Sequence, residues 1–244
     1  MPEPDTIPVK IVLLAAGRGE RLGGETPKQY LPLGGRPLLL HSLERLAALP
    51  GVREIVIVSP GGKLPSEIQL RVNSFVSSYP GLALKSAAGG GRRQDSVAAG
   101  LDVIHQDNNG PNASGVVLVH DSARPFVPRQ ETIELITKAE ATGGAILAVP
   151  ATDTVKESDE EGLIKATLDR NRIWLAQTPQ AFRVELFTEL IETLVGAAEF
   201  TDESAALEAI GVPVALVAGT PSNFKVTSRQ DFLRAERKLE ERDV

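Results

Sequence analysis

The chain has 244 residues, of which 42% are hydrophobic, so it is long enough to bury the core of one large α/β domain. Its formal net charge is −6 with acids and bases interspersed, which argues against nucleic-acid polymers as partners because these select basic faces. The absence of cysteine excludes disulfides and thiolate metal sites, and the three histidines are scattered without ligand spacing.

The N-terminal segment gives no sign of membrane or export targeting. Residues 1–8 contain three prolines and two acids, without the apolar core of a signal peptide or the Arg/Ser bias of a transit peptide. No apolar run approaches the roughly 18 residues that a membrane span requires. We therefore expect a cytoplasmic protein with no membrane partner, or a stromal one if a plastid-targeting segment has been removed.

The first predicted strand runs into a glycine-rich loop. The apolar run 9–16 ends at Gly17 and Gly19, where backbone N–H groups can approach an anion because no Cβ stands in the way. Two cations, Arg21 and Lys28, follow in the same stretch. Backbone donors combined with two long cationic side chains suit a polyphosphate.

This loop matches neither standard phosphate-binding motif. The dinucleotide fingerprint requires a glycine where the chain has Leu22, and no acidic residue follows the second strand near Val58 to hold a ribose. The P-loop pattern requires Ser or Thr after its lysine, whereas Lys28 precedes Gln29. A phosphate loop of a different type is indicated.

Strand-like and helical patterns alternate along the rest of the chain. The predicted strands are Val9–Leu14, Glu54–Ser59, Leu82–Ala87, Val116–His120, Ala145–Val149, Val214–Ala218 and Asn223–Thr227. The predicted helices are Leu38–Leu49, Pro65–Tyr79, Arg92–Gln106, Gln130–Thr142, Val184–Val195, Asp202–Ile210 and Arg229–Arg242. The alternation predicts an α/β fold, a single Rossmann-like domain over residues 1–244 with a doubly wound, mostly parallel sheet.

Three unusual loops follow strands of this predicted sheet. They span residues 17–24, 89–93 and 121–125, and the first two are rich in glycine. Ligands of doubly wound sheets bind beyond the carboxyl ends of the strands, where these loops meet. We expect the functional site there.

The alternation breaks between residues 150 and 174. The segment is charged, has Thr/Val/Ile patches and contains a turn at 159–162, which is typical of a protruding hairpin arm over residues 150–172. An exposed hairpin has unpaired edges and little core, so it normally needs a partner. From the residues alone, a surface flap is equally compatible.

Several sequence blocks carry a family resemblance, and they cover nearly the whole chain in the family's order. They are A-A-G-R-G-E-R-L at 15–22, P-K-Q-Y-L at 27–31, G-G-R-R-Q-D-S-V at 90–97, V-L-V-H-D-S-A-R-P at 117–125, L-D-R-N-R-I-W at 168–174, Q-T-P-Q-A-F at 177–182, T-D-E-S at 201–204 and N-F-K-V-T at 223–227. With them the chain resembles the 2-C-methyl-D-erythritol 4-phosphate cytidylyltransferases of the non-mevalonate isoprenoid pathway, within the sugar-nucleotidyltransferase-like superfamily.

The resemblance implies an enzyme that joins CTP and 2-C-methyl-D-erythritol 4-phosphate, releasing pyrophosphate, by in-line attack of the substrate phosphate on the α-phosphate of CTP. Such a transfer depends on positioning and on cations, and a phosphomonoester is already ionised, so no general base is required. The resemblance also implies Mg²⁺ as cofactor and a homodimer in which the 150–172 arm is exchanged.

The same resemblance assigns roles to particular residues. Catalysis falls to Arg21, Lys28, Arg170 and Lys225. The implied CTP contacts are Ala15, Ala16, Gly17, Gly19, Gly90 and Ser96, and the implied phosphopolyol contacts are Asp121, Arg124, Thr154, Arg170, Thr178 and Lys225. Thr154 and Arg170 would reach the site of the partner subunit.

Two departures from the family pattern affect these roles. The family often has Asp where this chain has Gly91, which leaves the ribose contact open. Some relatives have Asp where this chain has Ser222. We therefore expect Mg²⁺ to be held mainly by the CTP phosphates, with Asp121 as its one protein ligand or only as an acceptor for substrate hydroxyls.

Two other functions are compatible with the sequence. A ribitol 5-phosphate cytidylyltransferase would use the same loop chemistry, and polyol length cannot be read from the residues. A nucleotide-sensing module would bind CTP without releasing pyrophosphate.

Overall fold

The fold is built on strand β1 (Val9–Leu14), all six residues of which are buried. The computed structural model describes residues 7–17, 26–106 and 114–241. The other strands are β2 (Pro32–Leu33), β3 (Arg36–Pro37), β4 (Val52–Ser59), β5 (Ala83–Ala88), β6 (Val116–Asp121), β7 (Gly144–Pro150), β8 (Lys156–Ser158), β9 (Ile164–Thr167), β10 (Trp174–Arg183) and β11 (Val214–Ala218). The helices are α1 (Leu38–Ala47), α2 (Ser66–Val76), α3 (Arg93–Gln106), α4 (Arg129–Thr142), α5 (Phe187–Val195), α6 (Glu203–Ala209) and α7 (Arg229–Glu240).

Seven strands form one central sheet in the order β11-β7-β10-β6-β1-β4-β5. Strand β1 pairs in parallel with both β4 and β6, β4 with β5, and β7 with β11. Strand β10 is antiparallel to both of its neighbours, β6 and β7. The predicted mostly parallel α/β sheet is confirmed.

Helices cover both faces of the sheet. Successive residues of β1 point to opposite faces, so that Ile11 and Leu13 join one buried cluster while Val12 and Leu14 join the other. Helices α1, α2 and α4 contribute to the first cluster, and α3, α5 and α6 to the second. Burial on both sides explains why these strands are almost wholly apolar, and it confirms the doubly wound prediction.

The chain changes direction across the sheet beside β1. It passes from β1 outward to β4 and β5, and α3 then carries it back to β6 on the other side of β1. The loops that follow β1 and β6 therefore diverge. A crevice at such a switch point is the usual ligand site of a doubly wound sheet.

The structure corrects three details of the predicted elements. No strand was predicted between residues 174 and 183, where β10 lies. Gln177, Thr178 and Pro179 interrupt its apolar pattern, and a proline normally argues against an inner strand. The pairing register of β10 with β7 shifts at this interruption. Residues 223–227 form no strand, and the predicted helix from Val184 begins as a 3₁₀ turn before α5.

The predicted hairpin is formed by β8 and β9, which pair with each other in a separate two-stranded sheet. The backbone amides of Glu161 and Leu163 donate to the Asp159 carboxylate and close its turn. The side chains of Leu163 and Ile164 at its end are 62% and 68% exposed. Exchange of this arm between subunits stays a prediction.

Among the described residues, every helix is too short or too polar to cross a membrane. The expected cellular location stays a prediction.

Candidate active site

A cleft of about 910 Å³ lies beyond the carboxyl ends of β1, β5 and β6. The three loops singled out in the sequence contribute to its wall, together with a segment near the C-terminus. Its described lining residues are 14–17, Lys28, Gln29, 90–93, Ser96, 121–123, Lys225 and Thr227. They include four cationic side chains and one carboxylate, although the whole chain carries a net negative charge.

Gln29 anchors the loop that carries Lys28. Its side chain is buried, and Nε2 donates a hydrogen bond of 2.6 Å to the backbone oxygen of Ala15 at the end of β1. The Lys28 ammonium donates in turn to the carbonyl oxygen of Val226, at 3.1 Å. Lys28 is thus held beyond the carboxyl end of β1. Arg21 and Gly19, predicted to act in the same loop, lie outside the described residues.

The glycine loop after β5 depends on the absence of side chains. A Cβ at Gly89 would lie 2.3 Å from Cβ of Ala16, and a Cβ at Gly90 would lie 2.3 Å from Cβ of Asp95. Ser96 accepts a hydrogen bond of 3.1 Å from the Gly90 amide. These contacts bring the predicted CTP-binding residues Ala16, Gly90 and Ser96 together at one side of the cleft.

Asp121, the last residue of β6, lies between two cations. One carboxylate oxygen accepts hydrogen bonds of 3.3 Å from Nε and Nη2 of Arg93, and the other lies 2.7 Å from the ammonium of Lys225. Burial alone would raise the pKa of Asp121, but the charges of Arg93 and Lys225 outweigh it and hold the pKa well below its usual range. The carboxylate is ionised at any physiological pH.

Glu203 binds Arg93 from behind the cleft. Its carboxylate accepts hydrogen bonds from Nη1 of Arg93 at 2.6 Å and from Nη2 at 3.2 Å. Burial raises the pKa of Glu203, and the charge of Arg93 opposes that rise. Burial would lower the pKa of Arg93, but Glu203 and Asp121 outweigh it, so that the pKa is raised and the guanidinium stays charged.

A hydrogen-bonded chain supports the backbone at Asp121. The Asp121 amide donates to the Thr178 hydroxyl at 3.1 Å, and this hydroxyl donates to Nδ1 of His120 at 3.1 Å. Nε2 of His120 then donates to the backbone oxygen of Arg124 at 3.1 Å. This assignment requires a neutral imidazole, and burial does lower the pKa of His120 from 6.5 to about 4.

Comparison with known proteins identifies the family. Residues 9–241 match the model of the IspD family, 2-C-methyl-D-erythritol 4-phosphate cytidylyltransferase. The chain belongs to this family.

Curated relatives and a solved structure agree with the assignment. The cytidylyltransferase of Syntrophus aciditrophicus is 38% identical over 93% of this chain and 94% of its own length, and that of Shewanella frigidimarina is 41% identical over 91% of each. The 4-diphosphocytidyl-2C-methyl-D-erythritol synthase of Anaerococcus prevotii superposes with a TM-score of 0.79 at 26% identity, covering 97% of both chains. The resemblance stated from the sequence blocks is confirmed.

Two residues predicted to contact substrate in this cytidylyltransferase fold are bonded to protein instead. Nη1 of Arg124 donates to the backbone oxygen of Asn223 at 2.8 Å, and burial lowers the pKa of Arg124. The Thr178 hydroxyl is used by Asp121 and His120. Neither residue lines the described cleft, so in this conformation both brace it from behind, and their predicted substrate contacts stay untested.

The arm residues lie apart from the cleft of their own subunit. Thr154 and Arg170 are exposed, and Nη1 of Arg170 donates to the backbone oxygen of Thr152 at 2.9 Å. Neither side chain is part of the cleft lining. Their predicted role requires a second subunit.

The donor set limits how a metal ion would be held. Among the described residues, no group of three or more His, Cys, Asp or Glu side chains is arranged to hold a metal ion. Asp121 is the one carboxylate in the described lining. A hard cation that takes most of its ligands from phosphates and water fits such a site, since Mg²⁺ commonly uses one or two carboxylates beside substrate phosphates.

The sequence reasoning assigned no role to Arg93, Glu203 or Gln29. All of them lie inside the blocks that carried the resemblance, at 90–97, 201–204 and 27–31. Their contacts join elements far apart in the chain, so local patterns do not reveal them. The family-resemblance blocks were the signal that could have identified these three residues.

Proposed function

We propose that the protein transfers the cytidylyl group of CTP to 2-C-methyl-D-erythritol 4-phosphate, forming 4-diphosphocytidyl-2-C-methyl-D-erythritol and pyrophosphate. The observation that carries this proposal is the cleft at the switch point of the sheet, whose described lining holds Lys28, Arg92, Arg93 and Lys225 beside one carboxylate. Long cationic side chains along a cleft suit two phosphorylated substrates. Membership of the cytidylyltransferase family supplies the chemistry.

The reaction is an in-line displacement at phosphorus. An oxygen of the substrate phosphate forms a bond to the α-phosphorus of CTP, and the bond from that phosphorus to the oxygen bridging to the β-phosphate breaks. Pyrophosphate leaves with the electron pair. The attacking phosphate is already ionised near neutral pH, so the reaction requires no general base. The buried, neutral His120 is consistent with this, since its ring nitrogens are used in support of the backbone.

Catalysis then consists of positioning and charge stabilisation. Negative charge accumulates on the α-phosphate in the transition state, and preorganised cations stabilise it. Lys28 and Lys225 are assigned this task together with Arg21. The bound phosphates would replace Asp121 as the partner of Lys225. The pair with Asp121 thus holds the Lys225 ammonium in position before the nucleotide binds.

The loops after β1 and β5 are assigned to the cytosine. Backbone groups at 15–17 and Gly90, with Ser96, would read the edge of the base. Recognition of the base by backbone groups and a serine leaves little room for a larger purine.

We also infer that Mg²⁺ accompanies the triphosphate, with Asp121 as its protein ligand. The ion would neutralise charge on the phosphates. The Asp121 side chain lines the cleft, and the pKa of its carboxyl is lowered, so it offers an ionised oxygen ligand.

A homodimer through the 150–172 arm belongs to the same proposal. The exposed Leu163 and Ile164 give the arm an apolar end without cover in the described part of the chain. Thr154 and Arg170 would then contact the substrate phosphate in the partner's cleft, where Arg170 supplies a further positive charge.

A pyrophosphate-release assay tests the proposal. CTP, UTP, ATP and GTP are each offered with 2-C-methyl-D-erythritol 4-phosphate and with ribitol 5-phosphate. We expect release with CTP and the methylerythritol substrate. Preference for ribitol 5-phosphate would assign the alternative transferase, whereas CTP binding without release from any pair would support a nucleotide sensor.

A further inference from the structure

Four charged side chains of alternating sign connect the protein interior to the cleft. Glu203 at the start of α6 binds Arg93 at the start of α3, and Arg93 binds Asp121 at the end of β6. Asp121 in turn binds Lys225. The four residues come from four separate parts of the chain, so each contact fixes one element against the next.

Glu203 itself has no contact with the cleft. Its side chain is 1% exposed, whereas that of Arg93 is 30% exposed and lines the cleft. A carboxylate this deeply buried is unfavourable unless it is paired. Both oxygens of Glu203 accept hydrogen bonds from Arg93, which provides that pairing. Any influence of Glu203 on substrate must therefore pass through Arg93.

The position of Glu203 is set independently of Arg93. The preceding Asp202 caps α6 by accepting from the amide of Ala205 at 3.0 Å. Gln180 of β10 donates to the Asp202 carboxylate at 3.0 Å and accepts from the Ser204 amide at 2.9 Å. The first turn of α6 is thus fixed to the central sheet, and it presents Glu203 as a rigid anchor.

The planar guanidinium of Arg93 transmits this anchoring. Glu203 accepts from the edge formed by Nη1 and Nη2, and Asp121 accepts from the edge formed by Nε and Nη2. Because the guanidinium is a rigid fork, fixing one side fixes the direction of the other. Glu203 also offsets part of the positive charge that Arg93 would otherwise direct wholly at Asp121.

We propose that Glu203 is a positioning residue for nucleotidyl transfer, which acts through Arg93 to orient the Asp121 carboxylate and to keep it available to the metal-bound nucleotide. This inference rests on the proposed function. Without the charge of Glu203, Arg93 turns toward Asp121 and competes with the metal ion for its oxygens.

Glu203→Gln tests the inference, since it keeps the size of the side chain and removes its charge. We expect kcat to fall at least about 10-fold, KM for CTP to change less than about 3-fold, and the Mg²⁺ concentration for half-maximal rate to rise several-fold. Calorimetric titration of Mn²⁺ into the protein with a non-hydrolysable CTP analogue should show the same loss of metal affinity. Glu203→Asp, which keeps the charge, should recover part of both losses.

Asp202→Asn is the matched control. It removes the neighbouring carboxylate charge but keeps an amide oxygen that can cap the helix, so the pair between Glu203 and Arg93 stays intact. We expect kcat and the Mg²⁺ requirement to stay within about 2-fold of wild type. If Asp202→Asn reproduces the kinetic change of Glu203→Gln, the effect follows from loss of any carboxylate at the start of α6 and the inference is wrong.

A crystal structure of Glu203→Gln separates this inference from the proposed function. Contacts between Arg93 and Asp121 that are shorter than the present 3.3 Å, in a chain that is otherwise superposable, support the positioning role. Contacts of unchanged length together with unchanged Mn²⁺ affinity overturn it. Failure of the wild-type protein to release pyrophosphate from any substrate pair overturns the proposed function and leaves these two measurements to decide the positioning role.

Discussion

The ammonium of Lys28 donates to the carbonyl oxygen of Val226, at 3.1 Å, across 198 positions of sequence. Val226 is fully buried and follows Lys225 directly, so this bond joins the loop after β1 to the segment that carries the second cation. Lys225 meanwhile pairs with Asp121 at the end of β6. The two lysines converge on one cleft because the parallel strands end at the same edge and the C-terminal segment folds back over it.

Replacement of Lys28 by alanine should reduce catalysis more than binding. We expect kcat to fall roughly 100-fold, because one preorganised cation is lost from the transition state, and CTP affinity to fall less. Steady-state kinetics and calorimetric CTP titration measure the two effects separately. Lys63→Ala, at an exposed position outside the cleft lining, is the control. An unchanged kcat for Lys28→Ala would reject its assigned role.

The neighbouring glycines Gly90 and Gly91 should differ sharply in their tolerance of a methyl group. A Cβ at Gly90 would lie 2.3 Å from Cβ of Asp95, whereas at Gly91 the nearest atom is Oδ2 of Asp95 at 3.9 Å. We expect Gly90→Ala to displace the loop and weaken CTP binding at least about 10-fold, while Gly91→Ala binds nearly as wild type. Equal affinities for both variants would show that this loop does not contact the nucleotide.

The space at Gly91 also tests a departure from the family pattern. Many relatives are expected to have Asp there, in contact with ribose. Since a Cβ fits at this position, Gly91→Asp should fold normally and should bind CTP at least as tightly as wild type. Weaker binding would indicate that this chain holds the ribose in another way.

How far the sequence predicted the structure depends on the range of the interactions. Strand β1 and helix α3 follow from local periodicity, so their predicted bounds agree with the structure to within one residue. Strand β10 was missed because Gln177, Thr178 and Pro179 interrupt the apolar pattern that identifies a strand, and its pairing with β6 is a long-range contact.

The same distinction applies to the candidate site. Lys28, Ser96, Asp121 and Lys225 were predicted, and the structure places all of them in one cleft. The partnership of Arg93 with Glu203 was not predicted, because it joins residues 110 positions apart and neither residue type is unusual on a helix surface. Local motifs identify which loops meet, but they do not identify the buried charge that supports them.

The stability of the protein should fall with acidification through the buried His120. Its pKa is about 4 in the folded protein against an ordinary 6.5, so the unfolded chain binds the proton more readily. The free energy of unfolding should therefore decrease as the pH falls from about 6.5 toward 4, by at most about 3 kcal/mol. Above that range the protein keeps its full stability. Urea denaturation at a series of pH values measures the slope. His120→Gln should flatten it, and an equal slope in that variant would assign the effect to other groups.

Mixed dimers should reveal whether the arm completes the partner's site. Arg170→Ala alone should mainly raise KM for the phosphopolyol, because the arm loses a cation for the substrate phosphate, whereas Lys28→Ala lowers kcat. If Arg170 serves the opposite cleft, a heterodimer of the two variants combines both defects in one site and leaves the other site intact. Co-expression with two different affinity tags, followed by purification through both, isolates this species.

At a phosphopolyol concentration well below the KM of Arg170→Ala, the heterodimer should then recover up to about half of the wild-type activity per dimer, although each homodimeric variant is impaired at that concentration. If Arg170 instead served its own subunit, each site would carry one defect and the activity would stay low at that concentration. If no doubly tagged species can be isolated, the dimer itself is contradicted. The matched control is Arg172→Ala in place of Arg170→Ala, since Arg172 is exposed in the same 3₁₀ turn and is assigned no substrate contact. Its own homodimer should keep the wild-type KM, which shows that the recovery depends on the cation at 170 rather than on the arm's surface charge.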